Sequence, residues 1–184
     1  MEYVIRFAIS LFDLAVFMYY FHSNKKMKPV SKVWIWAGFT IAAVIWTFVS
    51  SIKNPYLNQL LHKFFDNQTF VERFKFHSAA KSVHHGFVGG LLEHTVSVTR
   101  NCNYFAQNYP FLNRDLLLTA SIFHDIGKLK ELSSFPANDY TDAGQLLGHI
   151  MIGAEWVGEA IRTIDGFPAT LANELKHCIL AHHG

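Results

Sequence analysis

In "SIFHDIGKLKEL", residues 121–132, an otherwise apolar run ends in a histidine, an aspartate and a lysine. A helix that is built to be buried rarely ends in His124, Asp125 and Lys128, because an unpaired carboxylate in apolar surroundings is costly. A bound metal ion would explain a buried aspartate beside a histidine. We therefore expect this stretch to form part of a metal site.

The histidines are concentrated in the same part of the chain, since ten of the eleven follow residue 54. His94 lies on the apolar side of its predicted helix, one turn from Leu91 and Val98; the alternative is a core histidine with one hydrogen bond. The potential ligands are His94, His124, Asp125, His149, His182 and His183. One or two divalent ions, with Asp125 as the bridge between two, would use this set. Mixed imidazole and carboxylate ligation suits Mn²⁺, Fe²⁺ or Zn²⁺, and Mg²⁺ is a further candidate.

From Asn54 onward the chain is predicted to be all-α, because no alternation of apolar and polar residues is long enough for a strand. Pro55 suits the first turn of one helix and Asn113 suits an N-cap position. The helix that starts after Asn113 is expected to include the whole of "SIFHDIGKLKEL". Thr141 or Asp142 is expected to cap the next helix.

The first 53 residues differ from the rest in charge. Residues 1–53 hold six basic and two acidic side chains, whereas residues 54–184 hold ten and twelve. The formal net charge of +2 is thus an average of two unlike segments, and it gives no indication of nucleic-acid binding. A domain boundary is predicted near residue 53.

Two apolar runs fill this first segment. Residues 33–52 contain no charge and match the hydrocarbon thickness of a bilayer at helical rise. Residues 4–21 are a poorer candidate because Arg6 and Asp13 interrupt them. We expect residues 1–53 to form a membrane-anchoring helical hairpin; the alternative is an interfacial or signal-like first helix, with only the second run spanning the bilayer.

The expected orientation in the membrane rests on conflicting signals. The lysines between the two runs would face the cytoplasm by the positive-inside rule, which would place the rest of the chain outside; they are Lys25, Lys26, Lys28 and Lys32. Cys102 and Cys178 form no disulfide framework and fit a reducing compartment. We therefore expect a membrane location with the helical domain on the cytoplasmic side.

Four motifs in order, "LLEH", "FHDIGK", "GQLLGH" and "AHHG", resemble the HD superfamily of metal-dependent phosphohydrolases. In detail they are similar to the HD domain of YhaM-type 3′-to-5′ exoribonucleases, over about Asn54 to Gly184. The resemblance implies an HD-domain helical bundle over residues 54–184, here preceded by one or two N-terminal transmembrane helices. It also implies that His94, His124 and Asp125 hold one ion and that Lys128 contacts the scissile phosphate. The second ion would be held by His149, His182 and His183.

The chain departs from the family pattern in two places. The family closes its first metal site with an aspartate in a later helix, and this sequence stops at Gly184 before such a residue. Either the chain is a fragment or the first ion is held loosely. The exoribonucleases also carry an OB-fold nucleic-acid domain, where this chain has apolar helices.

The expected function is that of a metal-dependent phosphodiesterase that cleaves phosphodiester bonds in single-stranded RNA or a nucleotide, with Asp125 and Lys128 as catalytic residues. The alternatives are hydrolysis of a signalling cyclic nucleotide and a non-catalytic nucleotide-binding or scaffold module. His84 and His85 precede a glycine-rich turn and are candidate substrate contacts, although capping and hydration explain them equally well. The oligomeric state is not predicted.

Overall fold

The structure, a computed structural model, describes residues 43–81, 87–134 and 137–183 of the 184-residue chain. These residues belong to one compact unit, Thr40–Gly184. They form helices and turns, and their only bridge between extended segments is an isolated antiparallel one from Leu132 to Tyr140. The prediction of an all-α domain is therefore confirmed for the described part of the chain.

The described residues begin with a helical segment at residues 43–51. Seven labelled helices follow within the described ranges: α1 (Pro55–Phe65), α2 (Gln68–Phe76), α3 (Gly90–Asn108), α4 (Arg114–Phe123), α5 (Lys128–Glu131), α6 (Asp142–Arg162) and α7 (Ala169–Leu180).

Side-chain caps mark the helix starts. The Asn54 side chain accepts hydrogen bonds from the backbone N–H groups of the second and third residues of α1, at 3.1 and 3.2 Å. Asn113 caps α4 through the N–H of Leu116, and Thr141 caps α6 through the N–H of Gly144. Each cap satisfies a donor that has no partner within its own helix. The predicted caps at Asn113 and Thr141 are confirmed.

The core forms around α4, which packs against α3 and α7. Leu118, Ile122 and Phe123 of this helix are completely buried. The ring of Phe64 in α1 contacts those of Phe123 and Trp156, with centroids 4.9 and 5.7 Å apart. The end of α4 is thereby held inside the domain, so the turn that follows it starts from a buried position.

The predicted membrane location is wrong. No helix among the described residues is both long enough and apolar enough to cross a bilayer. The described half of the second apolar run packs instead into the core of the helical domain, where Ile45, Val49 and Ile52 are 4, 0 and 5% exposed. The Asp115 carboxylate of α4 accepts the N–H groups of Lys53 and Asn54, which ties the end of this run to the domain. The first run, at residues 4–21, lies outside the described residues.

Candidate metal centre

Four separate parts of the chain meet beyond the end of α4. One histidine comes from the start of α3, a histidine and an aspartate from the turn after α4, one histidine from α6, and two from the turn after α7. In that order they are His94, His124 and Asp125, His149, and His182 and His183. The structure thus brings together all six residues that the sequence marked as potential ligands.

A turn stands where the sequence predicted one continuous helix. α4 ends at Phe123, and residues 124–127 are linked by short-range bonds, from the N–H of Ile126 to the carbonyl of Phe123 and from the N–H of Lys128 to that of Asp125. Adjacent side chains on a regular helix would diverge by about 100°. In the turn, both His124 and Asp125 approach His94, whose Nε2 lies 3.1 Å from His124 Nε2 and 3.3 Å from Asp125 Oδ2.

Gly127 allows α6 to approach this turn closely. A Cβ atom at residue 127 would overlap the carbonyl oxygen of His149 and lie 2.8 Å from the nitrogen of Gly153. Any side chain would therefore push α6 away. With glycine here, His149 Nε2 lies 3.3 Å from Asp125 Oδ1.

The two oxygens of the Asp125 carboxylate face different sets of nitrogens. Oδ2 lies 3.3 Å from His94, 3.4 Å from His124 and 2.9 Å from the ammonium of Lys128. Oδ1 lies 3.3 Å from His149 and 3.6 Å from His182. Only 2% of this side chain is exposed, so the carboxylate sits at the centre of the cluster and has one oxygen for each half.

Acceptors hold three of the rings in one orientation. The Nδ1 atom of His124 lies 2.7 Å from the carbonyl of Ser121, and that of His182 lies 2.6 Å from the carbonyl of Ile179. The Nδ1 atom of His149 lies 2.9 Å from the Glu131 carboxylate. Because carbonyls and carboxylates only accept, Nδ1 donates in each case, and a neutral ring then directs the lone pair of Nε2 at Asp125.

Several of these inward-facing atoms lack hydrogen-bond partners. Among the described residues, Asp125 Oδ1, His149 Nε2 and His182 Nε2 are buried and make no hydrogen bond. Such groups are rare in folded proteins, because each has lost its water without gaining a partner. A cation between them would satisfy all three, so the donor set fits a metal ion.

The charges of the cluster agree with this need for a cation. Burial by itself would raise the pKa of Asp125, but contacts with His124, His182 and His94 hold that pKa well below its usual range. The Asp125 contact in turn raises the pKa of His182. Burial and the neighbouring rings of His182 and His149 lower the pKa of His183. Asp125 is therefore ionised, and it attracts either protons on the rings or metal ions between them.

Two groups of ligand atoms meet the distance requirement for an ion, each with its atoms within 4.8 Å of one another. One contains His94, His124 and Asp125, and the other contains Asp125, His149, His182 and His183. Asp125 belongs to both. His183 is the most exposed member of the second group. This His/Asp cluster could hold a divalent metal ion.

Two further residues support the centre, although no sequence motif singled them out. The Glu131 carboxylate contacts His149, and His77 Nε2 donates to the carbonyl of Lys128 at 2.8 Å. The one available signal for Glu131 was its position three residues after Lys128, on the same helical face. Nothing in "KLKEL" distinguishes a buried glutamate from a surface charge. His84 and His85 lie outside the described residues, so their substrate contacts stay predictions.

Several curated proteins that share one name are similar to this chain. Proteins named 3′-5′ exoribonuclease YhaM are 37% identical to this chain in Bacillus velezensis, 37% in Listeria monocytogenes and 38% in Bacillus subtilis. The alignments cover 74, 78 and 74% of this chain, but only 43, 45 and 43% of those relatives. The chain thus spans less than half the length of these curated relatives. No solved structure gives a significant match to the chain.

A family model described as "HD domain" matches residues 91–184, which is just over half of the chain. The matched part begins three residues before His94 and includes the turn with His124 and Asp125, and both later sources of histidine. The resemblance seen in the four sequence motifs is confirmed, and the chain is a member of the HD-domain family.

Proposed function

We propose that this chain is a metal-dependent phosphodiesterase of the exoribonuclease type, with its activity in the helical domain over residues 54–184. In this proposal His94, His124 and Asp125 bind one divalent ion. Asp125, His149, His182 and His183 bind a second. Lys128 contacts the scissile phosphate.

One observation carries the proposal: the buried Asp125 carboxylate divides its two oxygens between two sets of imidazole nitrogens. Three of the rings donate from Nδ1 to fixed acceptors and aim Nε2 at the carboxylate. Lone pairs that face a carboxylate at 3.3 to 3.6 Å repel each other unless a cation or a proton lies between them. Two divalent ions, one on each side of Asp125, would remove this repulsion. A ligand set of imidazoles and a carboxylate suits Mn²⁺, Fe²⁺ or Zn²⁺.

The residues around the cluster have definite tasks in such a reaction. Divalent ions supply Lewis-acid chemistry and make a nucleophile available from water at neutral pH. Asp125 fixes the positions of the two groups of histidines relative to each other, because its one carboxylate contacts both groups. The ammonium of Lys128, 2.9 Å from Asp125 Oδ2, adds a fixed positive charge where a phosphate would enter.

The substrate class follows from the relatives and is part of the proposal. Their name describes a 3′-5′ exoribonuclease, and 37 to 38% identity over 137 to 146 residues supports similar chemistry here. Because this chain spans less than half of their length, RNA as its substrate is a proposal that needs its own test.

The test combines metal content with hydrolysis. The purified chain, loaded with Mn²⁺, is analysed for bound metal and then assayed on a 3′-labelled single-stranded oligoribonucleotide and on a cyclic dinucleotide. We expect close to two ions per chain, release of nucleotides from the 3′ end, and loss of at least about 10³-fold of the rate in Asp125→Asn, because that variant weakens both halves of the site.

Asp165→Asn is the matched control, since Asp165 is an exposed carboxylate outside the cluster. Its rate and metal content should equal those of the wild type. A wild-type chain that binds no metal and cleaves neither substrate would contradict the proposal and favour a non-catalytic module. Cleavage of the cyclic dinucleotide alone would leave the metal site standing and reject RNA.

A further inference from the structure

Glu131 makes two hydrogen bonds to one residue of the cluster. Its Oε1 atom accepts the backbone N–H of His149 at 3.0 Å and the ring Nδ1–H of the same residue at 2.9 Å. Only 11% of the Glu131 side chain is exposed. Burial of a carboxylate is costly, so two hydrogen bonds to a single partner indicate a specific task.

The backbone N–H of His149 reaches this carboxylate because α6 is interrupted just before it. Gly148 has φ 71° and ψ 160°, values outside the helical region that glycine adopts without the penalty of a side chain. The ψ angle turns the next peptide away from the helix direction. The N–H of His149 then points at Glu131, and the second part of α6 starts from this bond.

Glu131 is itself held at the end of α5. Its N–H donates to the carbonyl of Gly127 at 3.0 Å, and its carbonyl accepts the N–H of Thr141 at 2.9 Å. Gly144 lies so close to the backbone of Glu131 that a Cβ atom there would overlap it. The carboxylate is therefore fixed relative to both the Asp125 turn and α6.

The ring bond has a consequence for metal binding. Because the carboxylate only accepts, Nδ1 of His149 carries the proton and Nε2 presents its lone pair, 3.3 Å from Asp125 Oδ1. Carboxylate partners of this kind fix the ring orientation of metal-binding histidines and raise their basicity. Glu131 has no such contact with His94 or His124 in the described residues, so its influence is confined to one half of the cluster.

We propose that Glu131 is the positioning residue for the second ion. It binds both the backbone and the ring of His149, and it thereby directs Nε2 of that ring at Asp125 Oδ1, the carboxylate oxygen without a hydrogen bond. This inference rests on the proposed function. It adds that the two ions depend on Glu131 unequally.

The experiment is a metal titration of the full chain with Co²⁺, followed by calorimetry and by the visible absorption of the bound ion. The variants are Glu131→Gln and Glu131→Ala, with Glu155→Gln as the matched control, since Glu155 is an exposed glutamate on α6. In Glu131→Ala the second ion should bind about 10- to 100-fold more weakly, while the first keeps its affinity. Glu131→Gln keeps an oxygen acceptor of the same length, so it should fold normally and recover part of the loss.

The outcomes separate three cases. Selective loss of the second ion in Glu131→Ala, with partial rescue in Glu131→Gln and no change in Glu155→Gln, supports the inference. Two ions bound with unchanged or equally weakened affinity in the Glu131 variants would overturn it and leave the proposed function intact, since the residue would then only support the fold. A wild-type chain that binds no ion would overturn both.

Discussion

Lys128 and Asp125, three residues apart, are joined by an ion pair of 2.9 Å, and only 15% of the lysine side chain is exposed. At this depth a charge is screened less by water, so the pair contributes more to the local field than a surface pair would. Asp125 also receives four imidazole contacts. In the proposed function, ions would supply positive charge to Asp125, and the ammonium of Lys128 would then be available to a phosphate.

The role of Lys128 can be tested with Lys128→Met, which removes the charge and keeps most of the apolar stem. The rate of RNA hydrolysis should fall by about 10²-fold, the order expected for one electrostatic contact to a transition state. Metal content should stay the same, because Lys128 donates no ligand. The measurement is kcat together with bound metal per chain.

Lys130→Met is the control for this prediction. Lys130 lies two residues further on, with its ammonium 4.7 Å from the ring centroid of Trp156. Its loss should leave kcat unchanged and cost about 0.5–1 kcal/mol of stability at most. Equal rates for both lysine variants would contradict a role for Lys128 at the phosphate.

Glycines allow the helices around the site to pack closely against one another. α5 and α6 pack together, with Gly127 against His149 and Gly153, and Gly144 against Glu131. At each crossing the backbones approach more closely than any Cβ would allow. The glycine in "HDIGK" is therefore required by the neighbouring helix rather than by its own φ angle, which is −60°.

We predict that Gly127→Ala separates these elements. The added methyl group must displace α6 at His149, which should lower the free energy of unfolding by about 1–3 kcal/mol. His149 would also move away from Asp125, so metal affinity should fall at the second ion first. Denaturant unfolding and metal titration measure the two effects.

Gly158→Ala, on α6, provides the comparison. A Cβ at residue 158 would meet only Arg162 and Lys176 side-chain atoms, at 3.8 and 3.9 Å, which is ordinary contact. Since alanine favours the helix, this variant should be unchanged or more stable by up to about 1 kcal/mol. If Gly127→Ala behaved like Gly158→Ala, the close crossing at Gly127 would be refuted.

Over the whole molecule, the cluster joins parts of the chain that are far apart in sequence. His94 and His182 both contact Asp125, yet 88 positions separate them, and helices α4 to α7 lie between them in the sequence. Ions that bind these segments only in the folded state would stabilise the fold by mass action.

We predict that removal of metal lowers the thermal unfolding midpoint. An ion at 100 times its dissociation constant contributes about 2.7 kcal/mol, which corresponds to a decrease of about 5–10 °C for a domain of this size. Calorimetry before and after chelation, and after return of Mn²⁺, measures this difference. Asp125→Asn should show little response to the chelator, and a wild-type midpoint that did not move would argue against bound metal.

Local signals in the sequence were sufficient for most of the secondary structure and for the residue types of the site. Asn113 and Thr141 cap their helices as predicted, because capping depends on residues within one turn. The six potential ligands could be named from residue type and spacing, and the HD motifs identified the family. Their metal roles stay predictions until the titrations are made.

Tertiary structure decided what neighbouring residues do not encode. The break after Phe123 lies in the turn that leads into α5. The kink at Gly148 and the burial of Glu131 arise where α5 packs against α6, through contacts such as that between Glu131 and His149, which lie 18 positions apart. The uncharged run at residues 33–52 predicted a membrane span because its length fits a bilayer, but Ile45, Val49 and Ile52 lie in a protein core. A bilayer and a core both remove apolar side chains from water, so hydropathy alone cannot distinguish them, and only packing against the rest of the chain does.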